Sequence, residues 1–416
     1  MKMIIDKSKI KFNLQLFNNT NKTSDAELSV EMKTFYSDYL IDMAEAKLVH
    51  DQFAQKHPIP KNGGKTIEFR KYNPLPKALV PLSEGVTPDG RKMSVTNLTA
   101  TVDQYGDYIE LSDILLLTAI DNNMVQATKL IGTQAGETLD TITREVMNGG
   151  TNVQYGDGAK PARFKLAGGE STGNDYLSVL AIQKAVRYLK TQKAQTISNS
   201  YVAIIHPDTA FDIMRDDEWI EASKYAGSGQ IFEGEIGKIA NVRFVETTEA
   251  KVFHAKNLTA AARNLTVKTG ATSATVAVKE AITDAEALAL VGRKVLLGDA
   301  QHEIVSAVAG AAGSATITLK ASITSVADAV IYPGEAGAKG RDVYSTIVLG
   351  ENAYGTTEVT GGGLQHIVKQ LGSSGTADPL NQRATVGWKA IKVAERLIEQ
   401  YMIRIETAST FEIGEN

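Results

Sequence analysis

The sequence contains no cysteine, which removes disulfide frameworks, thiolate metal sites and cysteine nucleophiles together. It holds no run of about 18 consecutive apolar residues, so no membrane span is expected. The start Met1-Lys2-Met3-Ile4-Ile5 is broken by Asp6, Lys7, Lys9 and Lys11 before an apolar stretch reaches signal-peptide length, and no export signal is expected. Asn-Leu-Thr triplets at Asn97, Asn257 and Asn264 are then chance matches to the glycosylation pattern. An excess of positive charge is also missing: 44 Lys and Arg face 48 Asp and Glu, a net charge of -4. That balance argues against a surface that wraps nucleic acid all round, though not against a local basic patch. The six histidines, at 50, 57, 206, 254, 302 and 366, fall in no metal-ligand spacing, so no metal or cofactor is expected. What is present is ordinary for a globular protein: 416 residues, 43% hydrophobic and 22% charged, enough for two or three domains with their own cores.

Residues 1 to about 30 are polar with a basic start, and Lys11 to Phe17 alternates apolar and polar residues as a short strand would. From Ser29 to about Phe53, Val30, Phe35, Tyr39, Met43, Ala46 and Val49 recur at helical spacing. Two strand-like runs, Lys65 to Tyr72 and Met93 to Gln104, flank a loop in which Pro74, Pro76, Pro81, Gly85, Pro88 and Gly90 forbid regular pairing. A two-stranded ribbon is marginal alone in water, so this one should lie on something else. A long helix is expected from about Asn123 to Met147, stopped by Gly149-Gly150, then a flexible segment to about Asp175. A helix from Tyr176 to Gln192 and a strand from Tyr201 to Ile205 follow.

Between about Val252 and Ala338 alanine, threonine, valine and glycine dominate, and Phe253 and Tyr332 are the aromatics. Strand candidates there are Leu265 to Val267, Thr275 to Val278, Lys294 to Leu297, Glu303 to Val308, Thr316 to Leu319 and Ala329 to Ile331, a small β-rich module inserted into a domain that resumes at Val343. Its low-aromatic sequence suits several small barrels and sandwiches equally. Two long strands, Thr385 to Val393 and Leu397 to Thr407, close the chain. Mixed helix and strand without βαβ repetition indicates an α+β fold.

The residues that would carry chemistry do not assemble into a site. Gly234-Glu235-Ile236-Gly237-Lys238-Ile239 lacks the glycine spacing and the hydroxyl residue of a phosphate loop, and Gly361-Gly362-Gly363 reads as a surface turn. Asp212, Asp216, Asp217 and Glu218 match no calcium loop and read as a solvated helix face. His206 before Pro207 reads as a strand terminator. Trp219 and Trp388 read as core anchors, and no serine sits in a nucleophile elbow. Catalytic, cofactor-binding and metal residues are therefore assigned as none, and an enzyme is not expected.

Several segments taken together resemble the tailed-bacteriophage major capsid proteins, which have the HK97-like shell fold. They are Lys11 to Phe17; Gln104-Tyr105-Gly106-Asp107-Tyr108-Ile109-Glu110-Leu111-Ser112-Asp113; Ile204-Ile205-His206-Pro207; and Asp217-Glu218-Trp219. Further on come Gly234 to Ile239, Asn241-Val242-Arg243-Phe244-Val245-Glu246-Thr247, Gly350-Glu351-Asn352-Ala353-Tyr354, Asp378-Pro379-Leu380 and Val386-Gly387-Trp388-Lys389.

The resemblance implies an N-terminal arm and helix over residues 1–60 and an extended hairpin loop over 61–107. It implies a peripheral domain with a spine helix over 108–174, completed by C-terminal strands over 385–416, and an axial domain in two parts, 175–251 and 341–384. The insertion, a small all-β domain over 252–340, interrupts the axial domain. The implied function is a structural subunit that self-assembles, through hexamers and pentamers, into an icosahedral head enclosing double-stranded DNA. The implied location is the virion, with assembly in the host cytoplasm. A separate scaffolding protein, a portal, a decoration protein on the insertion and non-specific DNA contact are the implied partners, with no membrane. The alternatives are an encapsulin-like compartment shell and a β-rich surface binding module.

Overall fold

Tyr201–Ile205 and Val343–Leu349 are buried at every position, as strands covered on both faces must be, and they are the centre of the fold. The protein is seen here as a computed structural model that describes residues 48–60, 64–72, 75–81, 84, 85, 87, 89–118, 123–168, 175–225, 237–358, 363–373 and 378–411. The expected arm, its strand at Lys11 to Phe17 and most of the Ser29 to Phe53 helix lie outside those residues, as do Gly234 to Ile236 and Gly361-Gly362. The chain forms two compact units. The described parts of one come from residues 104–136 and 362–391; the other comprises 48–103, 137–361 and 392–411. Helix Asn123–Asn148 and strand Arg383–Arg396 contribute residues to both.

In the larger unit a mixed sheet runs in the order Val153–Tyr155, Met402–Thr407, Val343–Leu349, Tyr201–Ile205, Val242–Glu246, Lys238–Ile239, with Val252–Phe253 added beside Val343 and Tyr344. Helix Val179–Thr191 covers one face. Ser178 caps it by accepting from the Ala181 N–H at 3.2 Å, and Val179, Ile182, Val186 and Leu189 form its buried stripe. Met147, Ile204, Ile347, Leu349, Tyr354 and Met402 form a second core cluster. Burying each such side chain contributes about 1.5–3 kcal/mol.

The long helix covers 26 residues, about 39 Å at 1.5 Å per residue. Its last turn carries no basic residue of its own. Arg396 and Arg404 supply the positive charge instead, donating to the carbonyls of Val146, at 2.6 Å, and of Asn148. The segment expected to be flexible differs where it is described. Val153–Tyr155 joins the sheet beside Arg404–Glu406, Leu166 is fully buried, and Arg163 makes a two-pronged ion pair with buried Glu406 at 2.6 and 2.7 Å. The end of the first expected helix also differs: residues 49–53 form turns and Gln55–Lys56 a short parallel strand, because buried polar contacts hold His50 and Asp51 in place. The last expected strand starts later, at Met402, after a 3-10 turn over Glu399–Tyr401.

The β-rich module is a closed barrel. Six strands run in the order Leu265–Thr266, Val330–Pro333, Lys294–Leu297, Ala300–Val308, Thr316–Thr324, Thr272–Ala277. The two outer strands meet through a Val267–Val278 bridge, with Lys268 N donating to Ala277 O at 2.8 Å and Lys279 N to Thr266 O at 2.9 Å. Closure satisfies edge groups that would otherwise pair with another chain. Leu265, Val267, Val276, Val295, Ile304, Ile317 and Ile331 fill the interior. The module is not purely β: helix Asp284–Leu290 starts on a capping box, in which Glu286 N donates to the Thr283 hydroxyl and Thr283 N to Glu286 Oε2 at 2.8 Å.

Candidate assembly surface

The ribbon expected around the proline-rich loop forms between Thr66–Tyr72 and Val95–Thr101, paired in register from Thr66 with Thr101 to Tyr72 with Val95. At about 3.3 Å per residue it is about 23 Å long. Ile67 opposes Ala100 and Phe69 opposes Leu98, so half-buried Ile67, Phe69 and Leu98 share one face with buried Ala100. The expected second run, Met93 to Gln104, is broken: Val102 N bonds to Lys65 O at 3.0 Å, and a separate strand, Asp103–Ser112, continues. Beyond the paired residues the loop presents Leu75, Leu79, Val80 and Met93 to solvent, Leu79 and Val80 at 80% and 82% exposure. A row of large apolar side chains on a long extension with little packing of its own marks a docking element.

In the smaller unit two of the segments that carried the sequence resemblance come together. Strand Asp103–Ser112 pairs with Arg383–Arg396. The approach is so close that a Cβ on Gly106 would lie 2.6 Å from the Trp388 carbonyl, and one on Gly387 2.8 Å from the Tyr108 Cβ. Gln134 bridges them, donating to Asp107 at 2.7 Å and accepting from the Trp388 indole at 3.3 Å. The bond from Gln134, with a second from the Tyr108 N–H, holds the Asp107 carboxyl below its ordinary range. An open groove of about 530 Å³ lies here, lined by Tyr108, Glu110, Ile367, Lys369, Arg383 and Trp388 among others.

A buried polar network in the larger unit anchors the chain ahead of the ribbon. Asp140 accepts from the His50 backbone N–H at 2.7 Å and lies 2.6 Å from His50 Nδ1. Asp51 accepts from the Thr143 hydroxyl at 2.7 Å and from the Lys392 ammonium at 2.6 Å, and Lys392 also donates to Leu139 O at 3.0 Å. The Tyr354 hydroxyl donates to His50 O; burial first, then the Asp51 and Asp140 charges, pushes its phenol well above its ordinary value.

The other considered residues have structural roles. Asp212 and Asp216 are not a solvated face: Asp212 accepts from the Thr410 N–H at 3.1 Å and from its hydroxyl, and Asp216 from the Val179 N–H at 2.9 Å. His206 ends its strand and also caps helix Pro207–Met214, its Nδ1 accepting from Asp208 N at 3.2 Å. Lys238 donates to Asn199 O at 3.2 Å. Trp219 packs edge-on against Phe244 at 5.6 Å, uniting two more of the resembling segments. Among the described residues no group of three or more His, Asp or Glu is placed to hold a metal ion, and no helix is long and apolar enough to cross a membrane.

Burial holds the imidazoles of His206, His302 and His366 below their ordinary 6.5. The folded state thus keeps them neutral while the unfolded chain protonates near that value, so their contribution is present above about pH 6.5 and is lost as pH falls through the folded values. Scanning calorimetry between about pH 7.5 and 5 should show a falling transition temperature, with a smaller fall in His366→Gln.

Residues 96–250 match the family model described as phage capsid protein. The capsid subunit of cyanophage Pam1 superposes with a TM-score of 0.54 at 12% identity, covering 86% of this chain and 89% of that one. That of cyanophage P-SCSP1u superposes at 0.50 with 10% identity, covering 86% and 87%. No curated protein matches the sequence significantly. The α+β fold is thus that of the HK97-like capsid subunits. Over residues 96–250 the chain is thus similar to the phage capsid family as well as sharing that fold.

Proposed function

We propose that this chain is the major head subunit of a tailed bacteriophage, assembling through hexamers and pentamers into an icosahedral shell around double-stranded DNA. The observation that carries the reading is the ribbon of residues 66–101, whose loop exposes Leu79 and Val80 almost fully while its fold is that of a shell subunit. In a monomer these side chains lie in water; against a second copy they are removed from it, and repetition over many copies makes a weak contact collective. The match to phage capsid proteins favours a DNA-filled head over a compartment that encloses cargo enzymes.

In this reading residues 1–60 are the arm and first helix, 61–107 the loop laid on a neighbour, 108–174 with 385–416 the peripheral domain, and 175–251 with 341–384 the axial domain. The module at 252–340 projects from the last and receives any decoration protein. Assembly takes place in the host cytoplasm with a separate scaffolding protein and a portal, and DNA is contacted without sequence preference through phosphates. Negative-stain electron microscopy of the protein, alone and with its scaffold, tests this. Closed shells of uniform diameter or hexamer and pentamer rings are expected. A monomer that never assembles with its scaffold overturns the reading.

A further inference from the structure

Beyond the end of strand Tyr201–Ile205, the larger unit leaves a set of apolar side chains partly bare. Leu180, Phe211, Met214, Ile220 and Phe411 are each between 38% and 44% exposed. Contacts join them into one patch. The Phe211 and Phe411 rings meet edge to face at 5.2 Å, and Asp212, on the helix that carries Phe211, holds the Thr410 N–H at 3.1 Å. Asp216 accepts from the Val179 N–H at 2.9 Å and Glu218 from the Gln183 amide at 3.3 Å, which sets Leu180 beside the first turn of helix Asp217–Tyr225. Exposed Asp217, Glu218 and Glu221 rim the patch. The guanidinium of Arg215 stands 5.3 Å from the centre of the Phe211 ring, so this aromatic surface already attracts a cation.

Aromatic rings rimmed by carboxylates fit a partner that offers Arg and Lys side chains. The cationic heads meet the acids, and the hydrocarbon stems cover the rings. The opposite end of helix Val179–Thr191, about 20 Å away at 1.5 Å per residue, carries such a surface. Arg187 and Lys190 are exposed there, as is Lys193 in the turn that follows. Lys238 donates to Asn199 O at the end of that turn, and exposed Arg243 pairs with Lys238 across the strands. One exposed acid, Glu351, joins them, its N–H bonding to Gln195 O at 2.9 Å. Among the described side chains, then, one end of the helix is apolar and negative, and the other is positive with long stems.

We propose that these two ends meet between copies, the Phe211–Phe411 patch of one subunit receiving the Arg187–Lys193 surface of the next. The inference rests on the shell reading above and adds a second contact to that of the ribbon. Because the two surfaces differ, the contact is head to tail, and every copy keeps one unmatched end until a ring closes. Exposed charge pairs are each weak and are screened by salt, so they act here by number and by setting the direction of the contact. The covered apolar side chains add a part that does not depend on charge.

Charge exchange in the full-length chain tests the proposal, read by sedimentation and electron microscopy of assembly with the scaffold. Glu218→Lys with Glu221→Lys, and separately Arg187→Glu with Lys190→Glu, are each expected to lower the assembled fraction about tenfold, as two attractions turned to repulsions do. All four positions are exposed, and urea denaturation checks that the subunits stay folded. The chain carrying all four changes has its ends exchanged and is expected to recover assembly. Where a reversed chain does not fold, Glu221→Gln serves, with an expected loss of about threefold. Normal assembly of the reversed or neutralised chains, or a fourfold variant as defective as either pair, overturns the contact and leaves the shell reading standing. Wild type that never assembles with its scaffold overturns both.

Discussion

Replacing Lys392 by methionine is expected to lower unfolding free energy by about 3–5 kcal/mol, the range for breaking one side of a buried ion pair. Lys392 is 2% exposed, and its ammonium serves Asp51 at 2.6 Å and the Leu139 carbonyl at 3.0 Å. Methionine fills the space and leaves the Asp51 carboxylate with the Thr143 hydroxyl as its remaining side-chain donor in this network. The loss is expected to concentrate on residues 48–56, because the two-residue strand Gln55–Lys56 cannot hold that segment by itself. Lys392→Met with Asp51→Leu removes both charges and is expected to recover at least half of the loss, as apolar replacement of a whole pair often does. Urea denaturation of dissociated subunits checks this. A single variant within about 0.5 kcal/mol of wild type, the range of neutral surface changes, would show that the network does not hold the segment.

The network was not legible in the sequence, since Asp51, Asp140 and Lys392 are far apart in the chain and share no local pattern. What was legible had a period or a punctuation mark. The long helix shows its apolar spacing and its Gly149-Gly150 stop, and the buried strand Tyr201–Ile205 reads as an apolar run. The ribbon was visible because two alternating runs flank a loop rich in proline. Its second strand ended early because Val102 turns back to Lys65, a contact between residues distant in sequence. One missed element did carry a signal: Thr283-Asp284-Ala285-Glu286 is a capping box, and it starts the helix in the barrel. Closure of that barrel could not be read, because it rests on the Val267–Val278 bridge between strands that look alike in sequence. The resembling segments proved to be contact partners, Gly106 with Trp388 and Trp219 with Phe244, which explains why separate short motifs together indicate one fold.

Changing Leu79 and Val80 together to aspartate is expected to leave the subunit folded and to prevent shells from forming. Both side chains are more than three-quarters exposed in the subunit, so two carboxylates there change its stability by no more than about 0.5 kcal/mol. Laid on a neighbouring copy, the same carboxylates lose their water against hydrocarbon without a partner, a cost of several kcal/mol each. A penalty of 1.4 kcal/mol is already about tenfold in an association constant, and it recurs at every subunit, so the assembled fraction is expected to fall below detection in sedimentation and electron microscopy. Leu288→Asp, at a comparably exposed position on the barrel's helix, is the matched control and is expected to assemble as wild type does, since the barrel projects from the shell in the proposed arrangement. If the loop variant assembled normally and Leu288→Asp did not, the contact between copies would belong to the barrel, and the ribbon would lie on its own subunit.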